Sequence, residues 1–227
     1  MNGRFRSIAI DGPAGAGKST MARRVAKELG YQYVDTGAIY RTVGYHMCLM
    51  GISPRDSDGI KRLIDDVNVK IEYAADGVQH MILNGHDVTG EIRTAQMAVY
   101  ASGVSAQPVV REFLLDMQRD LARKHNVVMD GRYIGTVVLP DADVKIFLTA
   151  SDTVRAQRRF LELRAKGEKT SFEQVLSDLR QRDKQDSTRA IAPLRCAPDA
   201  VLLDTSEQTV EESVAAMLAI IRQKLGR

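Results

Sequence analysis

Apolar and polar positions change period several times along the chain. Short aliphatic runs, many of them β-branched, occur at residues 7–10, 33–35, 126–129, 144–148 and 200–203. An uninterrupted apolar run leaves no polar face for solvent, so these predict five strands buried on both faces. Between them the spacing becomes helical. A helix is expected from about Lys18 to Leu29, stopped by Gly30. Ile39, Val43, Met47 and Met50 share one face of a second helix, which Gly51 and Pro54 end. Val110, Phe113, Leu114, Met117 and Leu121 mark a helix over 107–124, and Val210, Val214, Met217, Ile221 and Leu225 mark the last one. Strands that alternate with helices predict an α/β fold, a parallel sheet flanked by helices.

One stretch breaks the alternation. Residues 67–74 and 78–83 are β-rich and flank Asp76-Gly77, a hairpin signal, and Asn84-Gly85 supplies another turn. This predicts a small antiparallel insert over residues 60–92.

Composition adds bounds. A chain of 227 residues is long enough for one medium domain with a real core. Its 32 basic and 29 acidic residues leave a net charge of +3, too balanced for a protein that coats DNA through many uncompensated phosphate contacts. Of the 32 cations, 22 are Arg and 10 are Lys. That bias suits planar, bidentate recognition of small anions, or else reflects nucleotide composition of the coding sequence. Cys48 and Cys196 are far apart and form no CxxC, which argues against a disulfide scaffold or a zinc site. The apolar run after Arg4 and Arg6 is too short for a signal peptide, and no run is long enough to span a membrane. The expectation is a cytoplasmic protein that binds neither membrane nor nucleic acid.

The chemistry begins at Gly12-Pro13-Ala14-Gly15-Ala16-Gly17-Lys18-Ser19, followed by Thr20, which fits G-x4-G-K-[ST] between a strand and a helix. Successive N–H groups of such a loop form an anion nest, and the helix N-terminus adds positive charge. Gly12 through Thr20 are therefore candidate ATP-binding residues. Lys18 would reach the β- and γ-phosphates and Ser19 would ligate Mg²⁺. A dinucleotide fingerprint does not fit, because Gly15-Ala16-Gly17 runs into Lys-Ser-Thr. The [NT]-K-x-D string with which GTPases read guanine is absent.

A second anionic site is expected on the same sheet edge, where open α/β sheets bind ligands beyond their strand ends. Asp35-Thr36-Gly37 closes the second strand and Tyr40-Arg41 follows. Asp130-Gly131-Arg132 closes another strand, placing Asp130 to hold Mg²⁺ or its waters and Arg132 to hold a phosphate. The alternatives are a turn or cap role for Asp130 and solvated surface cations for Arg41 and Arg132. Toward the C-terminus, Arg155, Arg158 and Arg159 share one helix face, and so do Arg182, Asp186 and Arg189. The polar turn Lys166-Gly167-Glu168-Lys169 lies between them, as a hinged, Arg-loaded lid requires. The plainer alternative is a salt-bridged surface hairpin.

Taken in order, these segments resemble the bacterial cytidylate kinases, a branch of the nucleoside monophosphate kinases. The resemblance runs through the phosphate loop, Asp35-Thr-Gly-Ala-Ile-Tyr-Arg41, Gly90-Glu-Ile-Arg-Thr94, Val110-Arg-Glu112, Asp130-Gly-Arg132, Ile134-Gly-Thr136, Val144-Lys-Ile-Phe-Leu148, Arg182-Asp183 to Arg189, and Ala192-Pro-Leu194. It implies a P-loop NTPase fold with a five-stranded parallel core over 1–59, 93–154 and 190–227. It implies a monophosphate-binding insert at 60–92 and a helical lid at 155–189. It implies ATP with Mg²⁺ as donor, CMP or dCMP as acceptor, and a monomer. Arg41, Arg111 and Arg132 would then grip the acceptor phosphate, joined on closure by Arg182 and Arg189. Asp186 would meet the sugar hydroxyl, with Thr36, Tyr40 and Ser102 around the cytidine. Arg155, Arg158 and Arg159 would serve ATP from the lid side. The family reads Gly-Arg-Asp-Ile-Gly-Thr where this chain has Gly131-Arg132-Tyr133-Ile134-Gly135-Thr136. Tyr133 thus stands where the family places a base-contacting carboxylate. Other readings are a phosphate-loop kinase with altered base preference, one acting on a small hydroxyl compound, and a nucleotide-gated binding module.

Overall fold

The computed structural model describes residues 4–226, which divide into two compact units. In chain order the elements are β1 (Ser7–Asp11), α1 (Lys18–Leu29), β2 (Gln32–Asp35), α2 (Thr36–Leu49), α3 (Ser57–Leu63), β3 (Val69–Tyr73), β4 (Gln79–Leu83) and β5 (His86–Asp87). They continue with α4 (Ala95–Val104), α5 (Pro108–Lys124), β6 (Val127–Gly131), β7 (Val144–Thr149), α6 (Asp152–Ala165), α7 (Phe172–Thr188), β8 (Val201–Asp204) and α8 (Val210–Leu225). A single π-type turn at Ile134–Val138 follows β6.

The first unit comprises the residues up to Gln32 and those from His125 onward. Its sheet carries the order β2-β6-β1-β7-β8, and the pairs β1–β6, β1–β7 and β7–β8 are all parallel. β2 enters at the edge, where the Gln32 N–H donates to the Asn126 carbonyl at 2.8 Å. Every residue of the central strand β1 is buried, so the sheet is covered on both faces there, as its unbroken apolar run predicts. Ile8, Ile10, Val127, Val128, Met129, Ile146 and Leu148 form the core of these layers. β8 is the edge strand and leaves Leu202 exposed. α1 ends on Gly30, and α8 opens with a reciprocal capping box between Thr209 and Glu212.

The second unit runs from Tyr33 to Lys124. Asp35 caps α2 by accepting the Ala38 N–H at 2.8 Å. α2 and α4 approach closely: a Cβ on Gly44 would lie 2.9 Å from the Tyr100 Cβ, so glycine sets their separation. The antiparallel sheet β3-β4-β5 contains both turns expected from its sequence. Asn84 and Gly85 both have positive φ, at 49° and 88°, which a two-residue hairpin demands.

α3 and α4 are not anticipated by periodicity. α4 (AQMAVYASGV) is apolar nearly all round, so no single stripe marks it. α3 is a short helix, recognisable by its cap, where the Asp56 side chain accepts the Gly59 N–H at 2.9 Å. The ends of the predicted apolar stripes also depart from expectation. Met50 and Val210 are exposed at helix ends, and Phe113 is exposed because the buried face of α5 runs through Val110, Arg111, Leu114 and Gln118 beside it, while Ile39, Val43, Met47, Met217 and Ile221 are buried.

Candidate active site

The phosphate loop hangs between β1 and α1. Gly12 has φ 152°, and a Cβ there would fall 2.0 Å from the Leu148 carbonyl oxygen of β7. Only glycine lets the loop leave the sheet at that point. Gly12→Ala should therefore destabilise the protein by about 2 kcal/mol, lowering the melting temperature by roughly 4–8 °C; a thermal melt followed by circular dichroism checks this.

Gly17 caps α1, and Lys18 is its first residue. Lys18 is buried, and its ammonium donates to the Pro13 carbonyl at 2.7 Å. Burial, then the nearby charge of Arg132, pulls its pKa well below the ordinary lysine value, while Asp130 and Asp11 pull the other way. The Ser19 hydroxyl donates to the Asp130 carboxylate at 2.8 Å, joining the loop to the end of β6. Asp11, at the end of β1, accepts the Ile134 and Gly135 N–H groups at 2.7 Å each. Burial nevertheless pushes its carboxyl up from the usual value. Asp11 thus shapes the turn after β6, a role that sequence alone does not single out.

Beside the loop, three arginines surround one carboxylate. Arg132 Nε donates to Asp186 at 2.9 Å, and Arg189 Nη1 to its other oxygen at 3.4 Å. Arg182 adds its charge. Burial alone would raise Asp186, but these guanidinium groups outweigh it and hold the carboxyl below its usual value. Arg189 is further fixed by donating to the Ala192 carbonyl at 2.7 Å and by lying 5.4 Å from the centre of the Tyr133 ring. Ala192 has φ 47°, a conformation uncommon for a residue other than glycine. Lys18, Arg132, Arg182 and Arg189 thus gather beside the phosphate loop, an arrangement of cations suited to anionic ligands.

The predicted lid face behaves differently. Arg155, Arg158 and Arg159 do not converge. Arg155 is buried and donates to the carbonyls of Ala150 and Ala14 at 2.9 Å each and to Asp183 at 2.6 Å. Arg158 holds Thr205 through its carbonyl at 2.7 Å and its hydroxyl at 3.3 Å. Arg159 pairs with Glu162 at 2.9 Å near the surface. Helical spacing gives all three one arc of α6, but each long side chain turns to its nearest acceptor. Thr20 is exposed on α1.

In the unit of residues 33–124, Asp35 is again the organiser. Its carboxylate takes Arg41 Nη2 and Arg93 Nη1 at 3.0 Å each, and those two cations overcome burial to hold it below the usual value. Gln79 of β4 accepts the Asp35 backbone N–H at 2.8 Å. Arg111 is buried with its guanidinium 5.9 Å from the Tyr40 ring centre, and Thr36 is buried at the start of α2. Ser102 lies on α4 and its carbonyl accepts from Ser105 at 3.0 Å. Arg93 and Gln79 lie outside the set of site residues expected from sequence. Arg93 sits in the Gly90–Thr94 segment, which marks it locally, whereas nothing local marks Gln79, whose partner is 44 residues away.

A parallel sheet whose central strand feeds a glycine-rich phosphate loop, with paired arginine-bearing helices after β7, defines a P-loop phosphotransferase. A family model described as cytidylate kinase matches residues 8–223. A cytidylate kinase of Carboxydothermus hydrogenoformans is 52% identical over 217 residues, covering 96% of this chain and 97% of that one. One of Caldicellulosiruptor saccharolyticus is 46% identical over 220 residues, covering 97% of each. The chain belongs to the cytidylate kinase family. Among solved structures, an uncharacterized protein from Eubacterium ventriosum shares the fold, with a TM-score of 0.53 at 13% identity over 98% of this chain and 99% of that one. Among the described residues, no helix is long and apolar enough to cross a membrane.

Proposed function

We propose that the protein transfers the γ-phosphoryl group of ATP to CMP and dCMP, giving ADP and CDP or dCDP. The observation that carries this reading is the gathering of Arg132, Arg182 and Arg189 around the carboxylate of Asp186, beside the phosphate loop that carries Lys18. One phosphate-binding loop accounts for a donor; the separate arginine cluster calls for a second anionic substrate. An acceptor phosphate oxygen attacks the γ-phosphorus, and the bond to the β-phosphate oxygen breaks as ADP leaves. The acceptor oxygen is already a nucleophile near neutral pH, so no general base is needed and catalysis rests on alignment and charge stabilisation.

The loop N–H groups and Lys18 hold the ATP phosphates. Ser19 and Asp130 suit Mg²⁺, since that ion favours hard oxygens and takes few from protein when phosphates supply the rest. Their 2.8 Å pairing already sets the two oxygens side by side. Mg²⁺ neutralises developing phosphate charge when bound. Arg132, Arg182 and Arg189 take the acceptor phosphate, with Asp186 for the sugar hydroxyl. Within the unit of residues 33–124, Arg41 and Arg111 are cations suited to an anionic ligand, Arg93 shares Arg41's anchor, and Thr36, Tyr40 and Ser102 are candidate nucleoside contacts.

Tyr133 occupies the place of the family's aspartate, and its buried ring carries Arg189. A carboxylate accepts from the cytosine amino group and repels the uracil carbonyl, whereas tyrosine does neither as strongly. An acceptor series of CMP, dCMP, UMP, AMP and non-nucleotide alcohols, assayed with ATP and Mg²⁺, tests the function. CMP and dCMP should lead, and turnover of an alcohol in their place overturns the reading. Tyr133→Asp should raise discrimination of CMP over UMP about tenfold in kcat/KM.

A further inference from the structure

The two helices on either side of the 166–169 turn hold the same residue of the phosphate loop. The Ala14 N–H donates to Asp183 of α7 at 3.3 Å, and the Ala14 carbonyl accepts from Arg155 of α6 at 2.9 Å. Arg155 and Asp183 bond each other at 2.6 Å, which closes a ring through that residue. Arg155 is anchored in turn to the Ala150 carbonyl just after β7. The Ala14 methyl packs with Ala156 of α6 and with Val175 and Leu179 of α7 in one buried cluster. There is no room for slack beside it: a Cβ on Gly15 would meet the Arg155 Cβ and carbonyl at 3.3 Å. Asp183 lies one turn before Asp186 on α7, so the helix that grips the loop also presents the carboxylate at the arginine cluster.

We propose that Asp183 is a positioning residue. Through Ala14 and Arg155 it ties the conformation of the phosphate loop to the position of the α6–α7 arm, so that a filled loop sets the arm. This rests on the reading of the loop as the ATP site. It gives Arg155 work on the loop backbone in place of direct contact with ATP. Hydrogen bonds to a carboxylate are directional and strong when shielded from water, so a shift of the loop peptide is passed to α7 rather than absorbed.

The test compares full-length wild type, Asp183→Ala, Asp183→Asn and Asp183→Glu. It measures KM for ATP and for CMP separately, ADP binding by calorimetry, and trypsin cleavage at Lys166 and Lys169 with and without saturating ADP. In wild type, ADP should slow cleavage. In Asp183→Ala, KM for ATP should rise about tenfold with KM for CMP within about twofold, and saturating ADP should no longer protect the turn. Asp183→Glu should recover part of both effects, and Asp183→Asn, which keeps an acceptor for the Ala14 N–H but loses the charge facing Arg155, should fall between. Protection by ADP that persists in both Asp183→Ala and Asp183→Asn overturns the proposal, as does an equal rise in both KM values, which a merely structural role would produce. Wild type that fails to bind ADP overturns the nucleotide reading itself, and the inference with it.

Discussion

Arg132→Ala should lower kcat/KM for CMP by about 10²-fold or more, a loss of roughly 3 kcal/mol of transition-state stabilisation. Arg132 stands directly after β6, where the strand end fixes its backbone, and Asp186 holds its guanidinium from one side. Its Nη1 also donates to the Gly131 carbonyl at 3.3 Å, and its remaining donors can meet phosphate oxygens. The charge also matters locally, because Arg132 does more than Arg182 or Arg189 to hold the Asp186 carboxyl below its usual value against its burial. Arg132→Lys keeps the charge and loses the planar fork, so it should recover only part of the activity. Steady-state kinetics with CMP varied at saturating ATP reads the effect, and near-wild-type turnover by Arg132→Ala would sink the assignment of the acceptor site.

Lys18→Met should cost a comparable 10²-fold or more, expressed in kcat. It should do so with little harm to the fold. The folded protein holds Lys18 at a pKa well below its unfolded value, so at neutral pH the buried ammonium is a burden that folding has to carry. Methionine of similar length removes that burden and gives up one hydrogen bond to Pro13. The variant should therefore melt within a few degrees of wild type while turnover collapses. In wild type, bound phosphates would give the Lys18 ammonium an anionic partner in place of the Pro13 carbonyl. A Lys18→Met protein that melts far below wild type would show that the lysine is a structural pin, and retained kcat would remove it from catalysis.

The two effects differ in how visible their residues are in the sequence. Lys18 is bound to a contiguous motif, where eight consecutive positions and the flanking strand and helix all constrain one another. Arg132 directly follows β6, and a strand's end in a parallel sheet is already a predicted ligand edge. By contrast, spacing puts the α6 arginines on one helical arc without giving them one task. Arg155 serves the loop backbone, Arg158 serves Thr205, and Arg159 serves Glu162. Spacing along a helix fixes the angle at which a Cβ leaves the axis. It says nothing about which acceptor a six-atom flexible side chain meets.

Helix α4 leaves no stripe in the sequence for a related reason, since it is apolar on nearly all sides. Asp183 was visible as a letter beside Arg182, yet its meaning lay 169 residues away at Ala14.

The α/β alternation, the β3–β4–β5 hairpins, the phosphate loop and the family are legible in the sequence, because each rests on local periodicity, turn chemistry or an ordered set of short motifs. Only the tertiary structure decided that Asp35 organises Arg41 and Arg93, that Asp186 gathers Arg132 and Arg189, that Tyr133 seats Arg189, and that α6 and α7 both hold Ala14. Those are pairings among side chains far apart along the chain or free to choose among several acceptors, and packing alone selects between them.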